Sequence, residues 1–141
     1  MYDEAKFIFI VEIIFLPDNY QKGMQVRRSV LGDTYVDSAE AAKTNFDKEF
    51  QRLITESAWG TVWADDTISQ RERSMLTLAL LAATGNFEEM PMHIRATART
   101  GASKDDIIQA FLHVAIYAGV PKANHAINLA KLTFAEMETP L

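Results

Sequence analysis

Residues 69–85 read "SQRERSMLTLALLAATG". Ser69 followed three residues later by Glu72 is a capping box. The serine hydroxyl accepts from a free N–H of the first helical turn, and the glutamate reaches back to the serine N–H. Leu76, Leu78, Leu80 and Leu81 put apolar side chains nearly all round this helix, which predicts a central, buried one. Gly85 supplies the stop, because glycine closes a helix at little steric cost.

The same signals recur on both sides. Downstream, Asn86 suits a cap and Pro91 suits a first turn, so the next helix begins near Met90 or carries a kink. "RTGAS" (99–103) reads as a turn. Ser103-x-x-Asp106 is another capping box, opening a helix through Ile107, Phe111 and Val114 to Gly119. A last helix is expected over residues 122–138. Upstream, residues 19–32 read as a short helix closed by Gly32, and "DTYVDSAEAAK" (33–43) as a connecting loop. Thr44-x-x-Asp47 looks like a third capping box. Phe46, Phe50, Leu53, Ile54 and Ala58 follow the helical period until Gly60 breaks it in "AWGTVWADDTI" (58–68). No stretch of the body alternates like a strand. These signs agree on an all-α, multi-helix bundle without internal repeats.

A chain of 141 residues suggests one domain with a sizeable core. Hydrophobic residues at 48% and charged residues at 23% fit an ordinary soluble globular protein. A net charge of −5 argues against a general nucleic-acid binder, which needs a basic surface. With no cysteine there is no disulfide framework, thiolate zinc site or thiol redox couple, and a cytoplasmic location is compatible. "FIFIVEIIFL" (7–16) contains Glu12 and is shorter than the roughly 20 residues of a membrane-spanning helix. Its acidic lead "MYDEAK" is unlike a signal peptide. Residues 1–18 are therefore expected to be an atypical apolar extension, either an arm or strand-like segment packing on a neighbouring subunit or a translated upstream stretch, ahead of one domain over 19–141.

Several residues could carry chemistry. Arg71 and Arg73 sit in a first turn, where positive charge opposes the helix dipole. They are either a solvated helix start or a clamp for an anion, since guanidinium forks match carboxylates. Glu89 and His93 are four apart and share a face. That pair reads either as a buried histidine bonded to a carboxylate, or as a general acid/base which the carboxylate orients and keeps basic. His113 and Tyr117 also share a face and either close a pocket or leave the tyrosine capping the core. His125 reads as a surface residue. Trp59 and Trp63 bracket Gly60 as core or interface anchors, or as a pocket wall. No histidine lies in a ligand-spaced motif, so no metal site is expected. By themselves these features describe a helical protein with an acid/base pocket for an anion.

In order, "GMQVRRSVLGDTYVD" (23–37), "AWGTVW" (58–63), "RERSMLTLALLAATG" (71–85), "HIRA" (93–96) and "LHVAIYAGVPKANHA" (112–126) resemble the 4-carboxymuconolactone decarboxylases. The resemblance covers about residues 20–136. It implies the all-helical fold of alkyl hydroperoxidase D and a homo-oligomer, a trimer or hexamer. In that peroxidase relative a CxxC pair precedes a histidine. Aligning the histidine on His93 puts Asn86 and Glu89 at the cysteine places, so the thiols are gone and a histidine remains for proton chemistry. The implied reaction is loss of CO2 from 4-carboxymuconolactone, giving 3-oxoadipate enol-lactone in protocatechuate catabolism. No cofactor is implied, because the unsaturated lactone is its own electron sink. Such an enzyme holds a dianionic lactone, stabilises an oxyanion and protonates a ring carbon. Arg71 and Arg73 are the expected clamp, Arg73 doubling at the oxyanion, and His93 the expected proton donor. His113 and Tyr117 orient substrate or replace His93, and Trp59, Trp63 and Glu89 complete the pocket. "DDTIS" (65–69) and Pro91 depart from the family pattern beside that pocket. The competing reading is a non-catalytic helical oligomer that binds a small carboxylic acid or a partner protein.

Overall fold

The computed structural model of the chain describes residues 18–140, so the predicted extension, apart from Asp18, lies outside the described residues. Within them are seven α-helices and no strand: α1 (Asn19–Leu31), α2 (Asp33–Ala42), α3 (Lys48–Ile54), α4 (Gln70–Thr84), α5 (Met90–Thr100), α6 (Lys104–Tyr117) and α7 (Val120–Glu138). The all-α expectation holds. Both serine capping boxes form. The Glu72 N–H donates to Ser69 Oγ at 3.1 Å and the Ser69 N–H to Glu72 Oε1 at 3.1 Å. The Asp106 N–H donates to Ser103 Oγ at 3.0 Å and the Ser103 N–H to Asp106 Oδ2 at 2.9 Å. Gly85 adopts the left-handed conformation at φ 77°. Pro91 and Pro121 fall in first turns, where a missing N–H costs nothing, so α5 starts at Met90 and α7 two residues ahead of the expected Lys122.

Several readings need correction. Residues 33–43 are not a loop, because Asp33–Ala42 is helix. Gly32 at φ 88°, ψ 151° ends α1 and begins α2 at once, and Asp33 opens α2 with a charge the helix dipole favours. The Thr44 box is half formed. The Thr44 N–H reaches Asp47 Oδ1 at 2.8 Å, but Thr44 Oγ1 accepts from Phe46, so the motif closes a turn and α3 starts at Lys48. Phe46, Phe50 and Leu53 keep the helical period yet are exposed. Gly60 does not break its helix: α3 continues as a π-helical segment, Thr55–Val62, with Trp63 N–H bonded to Ala58 C=O at 2.8 Å.

Helix α1 packs along that segment, and two glycines make the approach possible. A Cβ on Gly23 would fall inside the van der Waals shell of the Thr55 carbonyl oxygen, and one on Gly60 inside that of Asn19. Helices α4 to α7 form the other half around Leu78, Met90, Ile94, Ile107, Phe111 and Val114. The central α4 is buried on one face rather than all round, since Leu76 and Leu80 are exposed. A second cluster of Val30, Leu31, Val36, Trp59, Trp63 and Ala96 lies between α1, α2 and the π-helical segment. Helix α5 joins the halves, giving Ile94 to one cluster and Ala96 to the other.

Candidate active site

A cavity of about 550 Å³ opens in the second cluster. Helix α1 contributes Arg27 and Leu31, α2 contributes Tyr35, and α3 contributes Phe50, Gln51 and Ile54. The π-helical segment and the residue after it add Ala58, Trp59 and Trp63. Thr77 of α4, Glu89, Met92 and His93 complete the lining. Glu89 sits in a 3-10 turn, Phe87–Glu89, just ahead of α5.

His93 is the chemical centre of this wall. It is 8% exposed and lies roughly parallel to both indoles, its ring centroid 6.4 Å from Trp59 and 6.2 Å from Trp63. The indoles lie 5.2 Å from each other. The apolar surroundings stabilise the neutral imidazole, and burial pushes the His93 pKa down to about 4. His93 Nδ1 is buried with no hydrogen-bond partner among the described residues. Glu89 shares the cavity but does not bond that nitrogen, and it sits exposed at the rim. The expectation that Glu89 keeps this histidine basic is therefore corrected. Helical spacing puts the two on one side, but the 3-10 turn swings Glu89 outward.

The expected arginines lie elsewhere. Arg71 is exposed and grips Asp106 with two bonds, Nε to Oδ2 at 2.7 Å and Nη2 to Oδ1 at 2.5 Å. With the Ser103 bonds, this pair holds the Asp106 carboxyl well below the usual carboxylate range. Arg73 Nη2 donates to the Asp65 carbonyl at 2.9 Å and sits 3.6 Å from its carboxylate. Neither arginine lines the cavity. His113 and Tyr117 stack at 5.9 Å on an exposed part of α6, also outside it. His125 is exposed and stacks on Phe87 at 4.0 Å. Of the residues named from the sequence, His93, Trp59, Trp63 and Glu89 come together.

One charged lining residue was missed. Arg27 is 6% exposed, and its Nε and Nη1 have no hydrogen-bond partner among the described residues. A signal was present: the buried residues of α1 are Gly23, Arg27, Val30 and Leu31, so an arginine stands in the apolar stripe at i, i+4, i+7, i+8. Its neighbour Arg28 points away and pairs with Asp33 at 3.0 Å and Asp37 at 2.8 Å. The arrangement can hold an anionic molecule against the indole wall, with a cation and an imidazole in the same lining. Among the described residues there is no cluster of three or more groups fit to hold a metal ion, and no helix long and apolar enough to cross a membrane.

A sequence model of the carboxymuconolactone decarboxylase family matches residues 48–132, which include His93 and both indoles and begin after Arg27. Over 118 residues the chain is 36% identical to a 4-carboxymuconolactone decarboxylase of Acinetobacter baylyi, covering 84% of this chain and 88% of that protein. It is 36% identical over 118 residues to a nitrosuccinic acid decarboxylase of Metarhizium robertsii, covering 84% and 82%. It is also 51% identical over 41 residues to a 4-carboxymuconolactone decarboxylase of Pseudomonas putida, 29% of this chain and 85% of that sequence.

Proposed function

The chain belongs to the carboxymuconolactone decarboxylase family, and on that premise we propose that the His93 cavity decarboxylates a diacid that carries its own electron acceptor. The first such substrate is 4-carboxymuconolactone, giving 3-oxoadipate enol-lactone in protocatechuate catabolism. The observation that carries this reading is His93, buried against two indoles with an unpaired ring nitrogen.

The chemistry asks little of the protein. The bond to the departing carboxylate breaks, and its electron pair flows through the ring double bond into the lactone carbonyl. A dienolate results, so the reaction runs without cofactor. The ring carbon then takes a proton, one for each CO2 released. His93 supplies it as its N–H bond breaks and the C–H bond forms, then recovers a proton from solvent. Its low pKa leaves it neutral at pH 7. A dianion beside it favours the imidazolium, so substrate binding and proton uptake go together. Trp59 and Trp63 provide apolar surface against the departing carboxylate, which loses its charge as it leaves. Homo-oligomeric assembly remains part of this reading, supported by the exposed Leu76, Leu80, Ile116 and Val120.

The test is CO2 release from fresh 4-carboxymuconolactone in the presence of EDTA. Nitrosuccinic acid serves as the second substrate, because it is also a diacid with a built-in acceptor. Release by the wild type and its loss in His93→Gln by about 10²–10⁴-fold are expected. A well-folded protein that releases CO2 from neither substrate overturns the reading.

A further inference from the structure

We propose that Arg27 holds the carboxylate that the substrate keeps, which turns the departing carboxylate towards the Trp59–Trp63 wall. This rests on the decarboxylase reading above and assigns the orientation within it.

The starting point is an arginine with idle donors. Arg27 is buried to 6% exposure beside the cavity, and its Nε and Nη1 are unsatisfied among the described residues. A buried guanidinium with free N–H groups is destabilising unless an acceptor arrives. The nearest carboxylate does not fill that role. Glu40 Oε1 stands 3.5 Å from Nη1 without a hydrogen bond. Glu40 is an ion-pair partner shared with Lys43, whose Nζ donates to the other oxygen, Oε2, at 2.8 Å, so it balances charge without using the Arg27 N–H groups. The other acid at the cavity, Glu89, is at the rim. The guanidinium is left to a ligand, and a carboxylate matches its planar fork.

Which carboxylate follows from the reaction. A fork on the departing group would bind it best before the bond breaks and least as it becomes neutral CO2. That stabilises the ground state over the transition state and slows the step. A fork on the retained carboxylate holds equally throughout and fixes orientation. 4-Carboxymuconolactone and nitrosuccinic acid both keep one carboxylate after losing the other. With the fork on the retained carboxylate, the departing group is assigned to the Trp59–Trp63 part of the lining.

The experiment compares wild type, Arg27→Met and Arg27→Lys on 4-carboxymuconolactone and on its half-ester, methylated on the retained carboxylate. Wild type should prefer the diacid by at least about tenfold in kcat/KM. Arg27→Met should erase that preference, with KM raised about tenfold or more and kcat changed less. Arg27→Lys, keeping the charge and losing the fork, should fall between. Thermal denaturation with succinate and with monomethyl succinate gives a second readout that needs no turnover. Succinate should raise the wild-type Tm more than the half-ester does, and should not raise that of Arg27→Met. The ligand-free Tm of Arg27→Met should equal or exceed the wild type's, whereas a structural partner of Glu40 would lower it. Preference retained in Arg27→Met, or a wild-type Tm indifferent to succinate, overturns the proposal. Failure of decarboxylation with the succinate effect intact overturns only the reaction.

Discussion

The two halves of the molecule treat charge in opposite ways. Where α4 meets α6, Arg71 is exposed and paired: Asp106 serves its own capping box and accepts two bonds from Arg71. Around the cavity, Arg27 and His93 are buried, and each keeps polar atoms without a hydrogen-bond partner among the described residues. The first arrangement finishes a fold. The second leaves groups that an incoming anion would complete. Arg71 stabilises a helix start, whereas Arg27 lines the cavity with N–H groups left free of hydrogen bonds among the described residues. The supporting backbones differ too. Ordinary side-chain packing fills the α4–α7 half, while the cavity half rests on two glycines that let backbones nearly touch.

The sharpest test of this contrast pits one histidine against another. His93→Gln should lower turnover by about 10²–10⁴-fold, whereas His113→Gln on the exposed part of α6 should stay within about twofold, as steady-state CO2 release will tell. A large loss in His113→Gln would mean that the active cavity is not the one described. Next comes the glycine seam. Gly23→Ala should cost about 3 kcal/mol or more in urea unfolding, because its Cβ meets a carbonyl oxygen that no rotamer change can move aside.

Acid should weaken the cavity half in a defined window. Unfolded His93 titrates near 6.5 and folded His93 near 4. Between those values the unfolded chain binds a proton that the native one refuses. His93 therefore leaves stability intact above pH 6.5 and lowers it as the pH falls towards 4, by about 3 kcal/mol in all. His93→Gln should flatten that slope in denaturation curves taken across the window, and an unchanged slope would assign the acid sensitivity to other groups. The smallest effect belongs to the satisfied arginine. Arg71→Met removes an exposed, solvent-screened pair and should leave the urea midpoint nearly unchanged, with kcat/KM within about twofold of wild type. Arg27→Met should do the reverse, leaving stability and impairing binding.

Elements specified by neighbours in the chain were legible in the sequence. Ser69 with Glu72, Ser103 with Asp106, Gly85 and Pro91 act within a turn or two, so they set helix ends wherever the helices pack. Helix α2 was missed because it buries only Val36 and carries no apolar stripe for periodicity to detect. The exposure of Phe46, Phe50 and Leu53 was missed for a related reason. Periodicity states that one face is apolar and is silent on whether anything packs against it. For the site, the sequence supplied His93, Trp59, Trp63 and Glu89 as candidates, since unusual side chains stand out singly. It could not supply their partners. Arg71 and Arg27 are the same residue type, and only long-range packing pairs one with Asp106 and buries the other in the wall of a cavity that an imidazole also lines. Burial and the number of unmet hydrogen bonds are properties of the whole arrangement. By itself the sequence determined the helices and the stock of chemical groups; the tertiary structure alone decided which of those groups were left without a partner.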